Sequence, residues 1–188
     1  MKYNLVISKF GTMKIIFVLL SFFFSLTIIS VEPCPDSAEE EWHNCFGSHQ
    51  YPDGETFSGI WINNTYHKGV IVWQNGDVYV GEIKDQNPEG FGTYLLKSGE
   101  LYVGEWIRGK RDGYGSNIQP KEGFATDVYV GDFKDNKKDG MGTYSWGDGQ
   151  KYIGPFRNDK MEGKGKIITY NGIITLYQCN EGKCEEIK

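Results

Sequence analysis

Four cysteines are the residues of this chain with the clearest chemistry, and all of them lie outside its regular middle part. Cys34 and Cys45 precede that part, and Cys179 and Cys184 follow it. An even number of cysteines in two sequence-local pairs predicts two disulfides, Cys34–Cys45 and Cys179–Cys184, near the two ends of the domain. The alternative is a metal site that combines the cysteines with His43. In an elongated repeat array the two pairs would lie at opposite ends, which favours the disulfides.

The histidines and glycines of the sequence do not form a recognisable catalytic pattern. His43, His49 and His67 have no serine or cysteine nearby in an arrangement typical of nucleophilic catalysis. Glycine pairs such as Gly113-Tyr114-Gly115 are not expected to bind phosphate, because no helical pattern follows them. Aspartates beside glycines, such as Asp148, are explained by turn formation. We therefore predict no catalytic, cofactor or metal site and no enzymatic activity.

The middle of the chain is built from copies of one short unit. Five times an aromatic residue stands two places before a glycine, and the glycines of successive copies are 22, 23, 27 and 23 residues apart. A fixed period in this range is the signature of a repeat protein. The five repeat aromatics are Phe57, Tyr79, Tyr102, Tyr129 and Tyr152, and the glycines that follow them are Gly59, Gly81, Gly104, Gly131 and Gly154.

The repeat resembles a known family. The stretch YVGDFKDNKKDGMGTYSWGDG, from Tyr129 to Gly149, is similar to the MORN repeat, with its Tyr-x-Gly-x-Trp/Phe, a turn, Gly-x-Gly-x-Tyr and a final Asp/Asn-Gly. The resemblance covers residues 45–179, as half a repeat followed by five repeats. The third copy is four residues longer than the others, and the first has His67 in place of a glycine. The resemblance implies an interaction module that binds proteins or phospholipids, since enzymatic activity in such proteins belongs to fused kinase or methyltransferase domains.

Local patterns in the repeat indicate strands and hairpins. Tyr102, Gly104 and Trp106 are spaced by two, so they share one face of a strand, where the glycine leaves room for neighbouring rings. Pairs such as Asn75-Gly76 predict two-residue hairpin turns at one edge, and pairs such as Asp135-Asn136 predict turns at the other. No helical period follows residue 44. The predicted fold class is all-β, a single elongated antiparallel β-meander of repeat hairpins, preceded by an N-terminal apolar helix.

The N-terminus has the features of a targeting segment. Lys2, Lys9 and Lys14 precede an uncharged apolar run over residues 15–31, and no acidic residue occurs before Glu32. This pattern predicts a cleaved signal peptide or a retained signal anchor. The basic flank stays in the cytoplasm, so the rest is exported, either periplasmic or extracytoplasmic, or anchored in the membrane by residues 15–31. The expected organisation is a signal segment over 1–31, a linker over 32–44, the repeat array over 45–179 and a disulfide-closed end over 180–188.

Charge limits the partners that the array could bind. The formal net charge is −5 at pH 7, and it falls by three, to −8, without the three lysines of residues 1–30. A domain this acidic is a poor binder of nucleic acid and of anionic membranes in general. One exception is a set of basic residues at the same turn of three consecutive repeats, which a meander aligns into a candidate binding edge for a phosphate-rich or anionic-lipid partner. Solvated turns also accept lysine freely, so this edge has an ordinary structural explanation as well. The set comprises Arg108, Lys110, Arg111, Lys134, Lys137, Lys138, Arg157 and Lys160.

Two functions are compatible with these features. The first is a non-enzymatic interaction or scaffold module outside the cytoplasm that binds a protein partner, with self-association through open edge strands as a further mode. The second is an envelope glycan-binding protein or hydrolase that uses the aromatic stripe as a sugar platform. A hydrolase would also need carboxylates grouped in a cleft.

Overall fold

The computed structural model describes residues 31–37, 40–121 and 124–187 and shows strands and turns throughout them. The predicted apolar helix, over residues 15–31, lies outside the described residues except for Val31, which is in no strand or helix. The described strands are β1 (Glu32–Pro33), β2 (Cys45–Gln50), β3 (Thr56–Ile62), β4 (Thr65–Val72), β5 (Val78–Lys84), β6 (Asn87–Leu95), β7 (Leu101–Ile107), β8 (Lys110–Lys121), β9 (Phe124–Lys134), β10 (Lys137–Ser145), β11 (Lys151–Arg157), β12 (Lys160–Met161), β13 (Gly163–Ile168), β14 (Ile174–Asn180) and β15 (Lys183–Glu186).

These strands form one long sheet in which neighbours in the chain are neighbours in space. The order runs from β1 to β11 and then through β13, β14 and β15, while β12 pairs with β11. All pairs are antiparallel except β1 and β2, which run parallel. The predicted all-β meander is therefore confirmed. Within the described ranges, we find no helix with the length and apolarity needed to cross a membrane.

A continuous row of glycines crosses the sheet. Glycines of adjacent strands are direct register partners from β2 to β11, so ten of them lie side by side. The absence of side chains opens a channel across one face of the sheet, which the large rings fill. The row consists of Gly47, Gly59, Gly69, Gly81, Gly92, Gly104, Gly115, Gly131, Gly142 and Gly154.

The core lies on this one face, which we call the aromatic face. From the second repeat to the fifth, rings of successive repeats meet edge to face: Tyr102 contacts Phe133 at a centroid distance of 5.1 Å, and Phe133 contacts Tyr129 at 5.0 Å. Between the first repeat and the second, the buried Ile83 takes the position of such a ring. Edge-to-face packing is a preferred geometry for aromatic pairs. The hydroxyl of each of the four repeat tyrosines donates to a backbone carbonyl three residues on, as from Tyr129 to Asp132 at 2.9 Å. A sheet one layer thick thus obtains a core from rings that cover backbone.

The two edges of the sheet have different types of turn, and at one edge the turn type differs from the one predicted from the sequence. At Asn75-Gly76 the N–H of Trp73 donates to Asp77 and the N–H of Gly76 donates to Trp73, so the loop has three residues. Only the glycine has a positive φ, +91°, which is the type I turn with a G1 bulge. The predicted two-residue turn at this edge is therefore wrong. The opposite edge has the two-residue turns with both φ values positive, as at Asp135 (47°) and Asn136 (71°).

Candidate interaction surfaces

Both cysteine pairs are disulfides in the structure. The S–S distance is 2.06 Å for Cys34–Cys45 and 2.04 Å for Cys179–Cys184. Cys45 and Cys179 are buried at the two ends of the core, so each bond joins a terminal segment to the last ring layer. Because all four sulfurs are bonded to sulfur, none is a thiolate that could bind a metal. His43 instead accepts a hydrogen bond from the N–H of Asn63 at 3.3 Å.

The five repeat aromatics form the interior of the protein. Phe57, Tyr79, Tyr102, Tyr129 and Tyr152 are each 0–1% exposed. Burial raises the pKa of Tyr102 to about 12. Rings with no exposed face cannot stack against a sugar. The aromatic stripe is therefore unsuited to serve as the sugar platform of a glycan-binding protein or hydrolase.

The eight cations of the predicted binding edge do not all face the same way. Arg111 is the register partner of Trp106, and Lys138 is the partner of Phe133, so both point onto the aromatic face. The guanidinium of Arg111 lies 5.6 Å from the centre of the Tyr102 ring. Burial lowers the pKa of Lys138. These two side chains are packed against rings instead of lining the edge.

Three of the other six cations have partners across the turns, and three do not. Lys110 pairs with Asp135 at 2.6 Å, Lys137 donates to the side chain of Asn158 at 3.3 Å, and Lys160 approaches Glu181 at 4.0 Å. The Lys110 ammonium lowers the pKa of Asp135. Among the described residues, no ion pair or hydrogen bond engages the side chains that remain, which are those of Arg108, Lys134 and Arg157.

The sequence reasoning missed a set of carboxylates that join each turn of this edge to the next. Asp139 accepts a hydrogen bond from the N–H of Asn158 at 3.1 Å, and Glu89 accepts one from Arg108 at 2.8 Å. Each acceptor directly precedes the first glycine of a Gly-x-Gly pair, and each donor opens the turn of the following repeat. The regular placement of an acidic residue directly before each Gly-x-Gly pair could have predicted these contacts from the sequence. The four contacts are Glu89 to Arg108, Asp112 to Asp135, Asp139 to Asn158 and Glu162 to Glu181.

The face opposite the aromatic face has a row of exposed apolar side chains that the sequence analysis also missed. Phe91, Tyr114 and Met141 occupy the middle position of Gly-x-Gly in three consecutive repeats, and they are 59%, 58% and 58% exposed. Successive members lie on β6, β8 and β10, with one strand between them, so two inter-strand spacings of about 5 Å put them about 10 Å apart along the sheet. Glu105 lies between the first two, and Asp132 between the last two. We call these three residues the apolar row.

Comparison with known proteins identifies the repeats. The model of the MORN repeat matches residues 57–78, 79–100, 102–116, 129–151 and 152–173, which together are more than half of the chain. The chain is 32% identical over 74 residues to MORN repeat-containing protein 3 of Xenopus laevis, a match that covers 35% of this chain and spans 31% of that protein.

Among solved structures, the chain is similar to the SAS-4 (dCPAP) TCP domain in complex with a proline-rich motif of Ana2 (dSTIL) of Drosophila melanogaster. That similarity has a TM-score of 0.31 and 15% identity, and it covers 79% of this chain and 97% of that one. The repeat matches, together with the glycine row and the ring core that those repeats build, show that the chain belongs to the MORN repeat family.

Proposed function

We propose that this protein is a non-enzymatic interaction module displayed outside the cytoplasm and that it binds a protein partner through the apolar row. In this proposal residues 1–31 are a signal peptide or signal anchor, residues 32–44 a linker, residues 45–179 the array and residues 180–188 a disulfide-closed end. The observation that carries the proposal is the regular exposure of Phe91, Tyr114 and Met141 on a face where the described residues form no core.

The chemistry of the apolar row suits a protein contact. Large exposed apolar side chains bordered by charges are typical of interaction sites. The side chains of Glu105 and Asp132 are held beside the row by the N–H groups of Tyr114 and Met141, at 3.2 and 2.8 Å. A partner that offers apolar side chains about 10 Å apart, with basic groups between them, would match this pattern.

The partner surface can be tested by cross-linking the full-length protein in its own cells. We expect a cross-linked partner that is lost when Phe91, Tyr114 and Met141 are all replaced by serine. The matched control replaces three other exposed apolar residues, Tyr170, Ile173 and Ile174, with serine. Loss of the partner in the control alone, or in neither variant, would contradict the proposal.

Display outside the cytoplasm is supported by the two disulfides, since such bonds persist in oxidising compartments. A fusion of residues 1–45 to a reporter that is active only outside the cytoplasm should give signal. Replacing Leu19 and Leu20 with aspartate should abolish it, whereas replacing both with isoleucine should not. An inactive native fusion would show that the protein is not exported.

The predicted binding edge, which we call the basic edge, is a second candidate surface, for an anionic lipid or another phosphate-rich partner. Arg108, Lys134 and Arg157 are the cations that carry it, because their side chains form no ion pair with an acid in the described part of the chain. Vesicles with anionic headgroups should retain the protein at low salt but not at high salt. Replacing the three residues with serine should remove this retention, and zwitterionic vesicles should show none.

A further inference from the structure

The face that carries the apolar row has a second exposed surface near its C-terminal end. Ile153, Lys166 and Leu176 are direct register partners across β11, β13 and β14, so they share one face of the sheet. Ile153 directly precedes Gly154 of the glycine row, and strand alternation therefore puts it opposite the aromatic face. Leu176 is 56% exposed, and Lys164 is exposed on the same face, two residues before Lys166. We call Ile153, Lys164, Lys166 and Leu176 the C-terminal patch.

The C-terminal patch has the pattern of the apolar row with the opposite charge. Ile153 and Leu176 have one strand between them, which puts them about 10 Å apart, and Lys166 lies between them. In the apolar row, Phe91 and Tyr114 have the same spacing, and Glu105 lies between them. One surface is therefore apolar, basic and apolar in sequence across the strands, and the other is apolar, acidic and apolar.

Neither set of charges is neutralised within the chain. In the part of the chain that the structure describes, no ion pair involves Glu105 or Asp132 of the apolar row, or Lys164 or Lys166 of the C-terminal patch. The two acids are instead held in place by hydrogen bonds from backbone N–H groups, at 3.2 and 2.8 Å. Each surface would gain both apolar contacts and opposite charges by packing against a surface like the other.

The sheet face that connects the two surfaces also suits close packing. An uncharged row of register partners crosses it from β7 to β11, with no lysine, arginine, aspartate or glutamate among its members. Small and β-branched side chains on such a face can pack against a second sheet about 10 Å away. The row consists of Val103, Ser116, Val130, Thr143 and Ile153.

We propose that the partner of the apolar row is a second copy of this chain, and that the apolar row of each copy packs on the C-terminal patch of the other. A two-fold interface must be self-complementary, and one sheet face that carries both surfaces meets this requirement. The two contacts form together in a closed, face-to-face dimer. This inference rests on the proposed function, because it names the partner of the same surface.

The test is sedimentation equilibrium of the intact protein over a range of concentrations. We expect a mass twice that of the single chain measured by mass spectrometry. Replacing Lys164 and Lys166 together with glutamate puts like charges opposite each other and should weaken self-association about tenfold or more. Replacing Lys84 and Lys97 with glutamate makes the same change of charge at two exposed lysines in or beside turns, and this control should still dimerise. A monomeric wild type, or a lysine-patch variant that dimerises as well as the wild type, would overturn the proposal.

A mixing experiment tests which surfaces meet. Replacing Glu105 and Asp132 with lysine should also give a monomer. When this variant is mixed with the Lys164→Glu, Lys166→Glu variant, both contacts again join opposite charges, so a dimer with one copy of each should form. Near-UV circular dichroism shows that each variant is folded. Two folded variants that remain monomeric in the mixture would overturn the proposed pairing of surfaces.

Cross-linking in the protein's own cells separates this inference from the proposed function. A cross-link between two copies that is lost in the Phe91, Tyr114 and Met141 triple variant and in the Lys164→Glu, Lys166→Glu variant would support both. A cross-link to a different protein that depends on the apolar row, together with a monomeric purified chain, would overturn the dimer and leave the proposed function standing. A monomeric chain with no cross-linked partner would overturn both.

Discussion

The ring of Tyr129 lies over Gly142 of the neighbouring strand, so closely that a Cβ atom on Gly142 would stand 2.5 Å from the Tyr129 hydroxyl oxygen and 2.6 Å from Cζ. Gly131, the register partner of Gly142, is confined differently. A Cβ there would stand 2.5 Å from both the Cα of Gly142 and the carbonyl oxygen of Met141, and 2.7 Å from the Tyr129 hydroxyl oxygen. The nearest atoms to a Cβ at Gly142 thus all belong to the Tyr129 ring, whereas those nearest to a Cβ at Gly131 belong to the backbone.

The two glycines of this pair should respond differently to removal of the ring. Gly142→Ala is expected to destabilise the protein by about 1–3 kcal/mol, and most of that cost should disappear in a Tyr129→Ala background. Gly131→Ala should keep its cost there, because the backbone it meets is unchanged. Urea midpoints of the single and double variants measure the coupling of each glycine to Tyr129. Thr143→Val, on the opposite face, is the control and should have a small effect on stability. Equal coupling to Tyr129 at both positions would contradict this explanation.

The sequence predicts the sheet and its ring core well, because both depend on contacts between positions two residues apart or one repeat apart. The spacing of Tyr129 and Gly131 is sufficient to place a ring over the backbone. The turn at Asn75-Gly76 could not be predicted from the dipeptide, since its type depends on Trp73 pairing with Asp77.

The direction of side chains on the basic edge was predictable in part. Strand alternation alone puts Arg111 on the same face as its register partner Trp106, so treating it as an edge residue overlooked an available signal. The contact from Asp139 to Asn158 is harder to foresee. It requires two consecutive turns to lie at a known distance from each other, which depends on sheet geometry that the sequence does not contain.

The carboxylates that join consecutive turns should protect particular amides. In Asp139→Ala the N–H of Asn158 loses its acceptor, so its hydrogen exchange should accelerate, and the protein should lose about 1 kcal/mol of stability. Asp148→Ala provides the control, because the Asp148 side chain accepts instead from the N–H of Gln150 within its own turn. Unchanged exchange at Asn158 in the Asp139 variant would mean that the contact does not persist in solution.

The C-terminal disulfide should act locally. Cys179 and Cys184 are register partners in the β14–β15 hairpin, and only five positions separate them. By loop entropy, so short a closure adds about 2 kcal/mol to the free energy of unfolding. The Cys34–Cys45 bond, with a separation of 11, adds slightly more. Replacing Cys179 and Cys184 with alanine should remove exchange protection from β15 and leave the amides around Gly104 protected, because each repeat depends chiefly on its neighbours. Loss of protection across the whole sheet would show that the array unfolds as one cooperative unit.

Acid should remove the stabilisation that Asp127 provides. This carboxylate is 2% exposed and accepts hydrogen bonds from Lys121 Nζ at 2.6 Å, the Tyr144 hydroxyl at 2.7 Å and the N–H of Gly147 at 2.9 Å. Burial alone would raise its pKa, but these donors outweigh burial and lower the pKa from its ordinary value of 3.8. A lowered pKa in the folded state means that the contribution is present above the unfolded-state value and disappears as the pH falls through the folded-state value.

The variant Asp127→Asn tests this contribution, because it keeps the size of the side chain and removes the charge. At neutral pH it should be less stable than the wild type by about 1–3 kcal/mol, since a buried group loses charge-assisted partners. The difference should begin to shrink below about pH 4, where the carboxylate becomes protonated in the unfolded state, and should disappear as the pH falls through the lower pKa of the folded state. Gln150→Asn alters the equivalent position of the fifth repeat without an ionisable group, so its effect should not vary over the same range. Urea unfolding at a series of pH values gives both differences, and a gap for Asp127→Asn that stays constant or widens in acid would show that the carboxylate charge does not stabilise the fold.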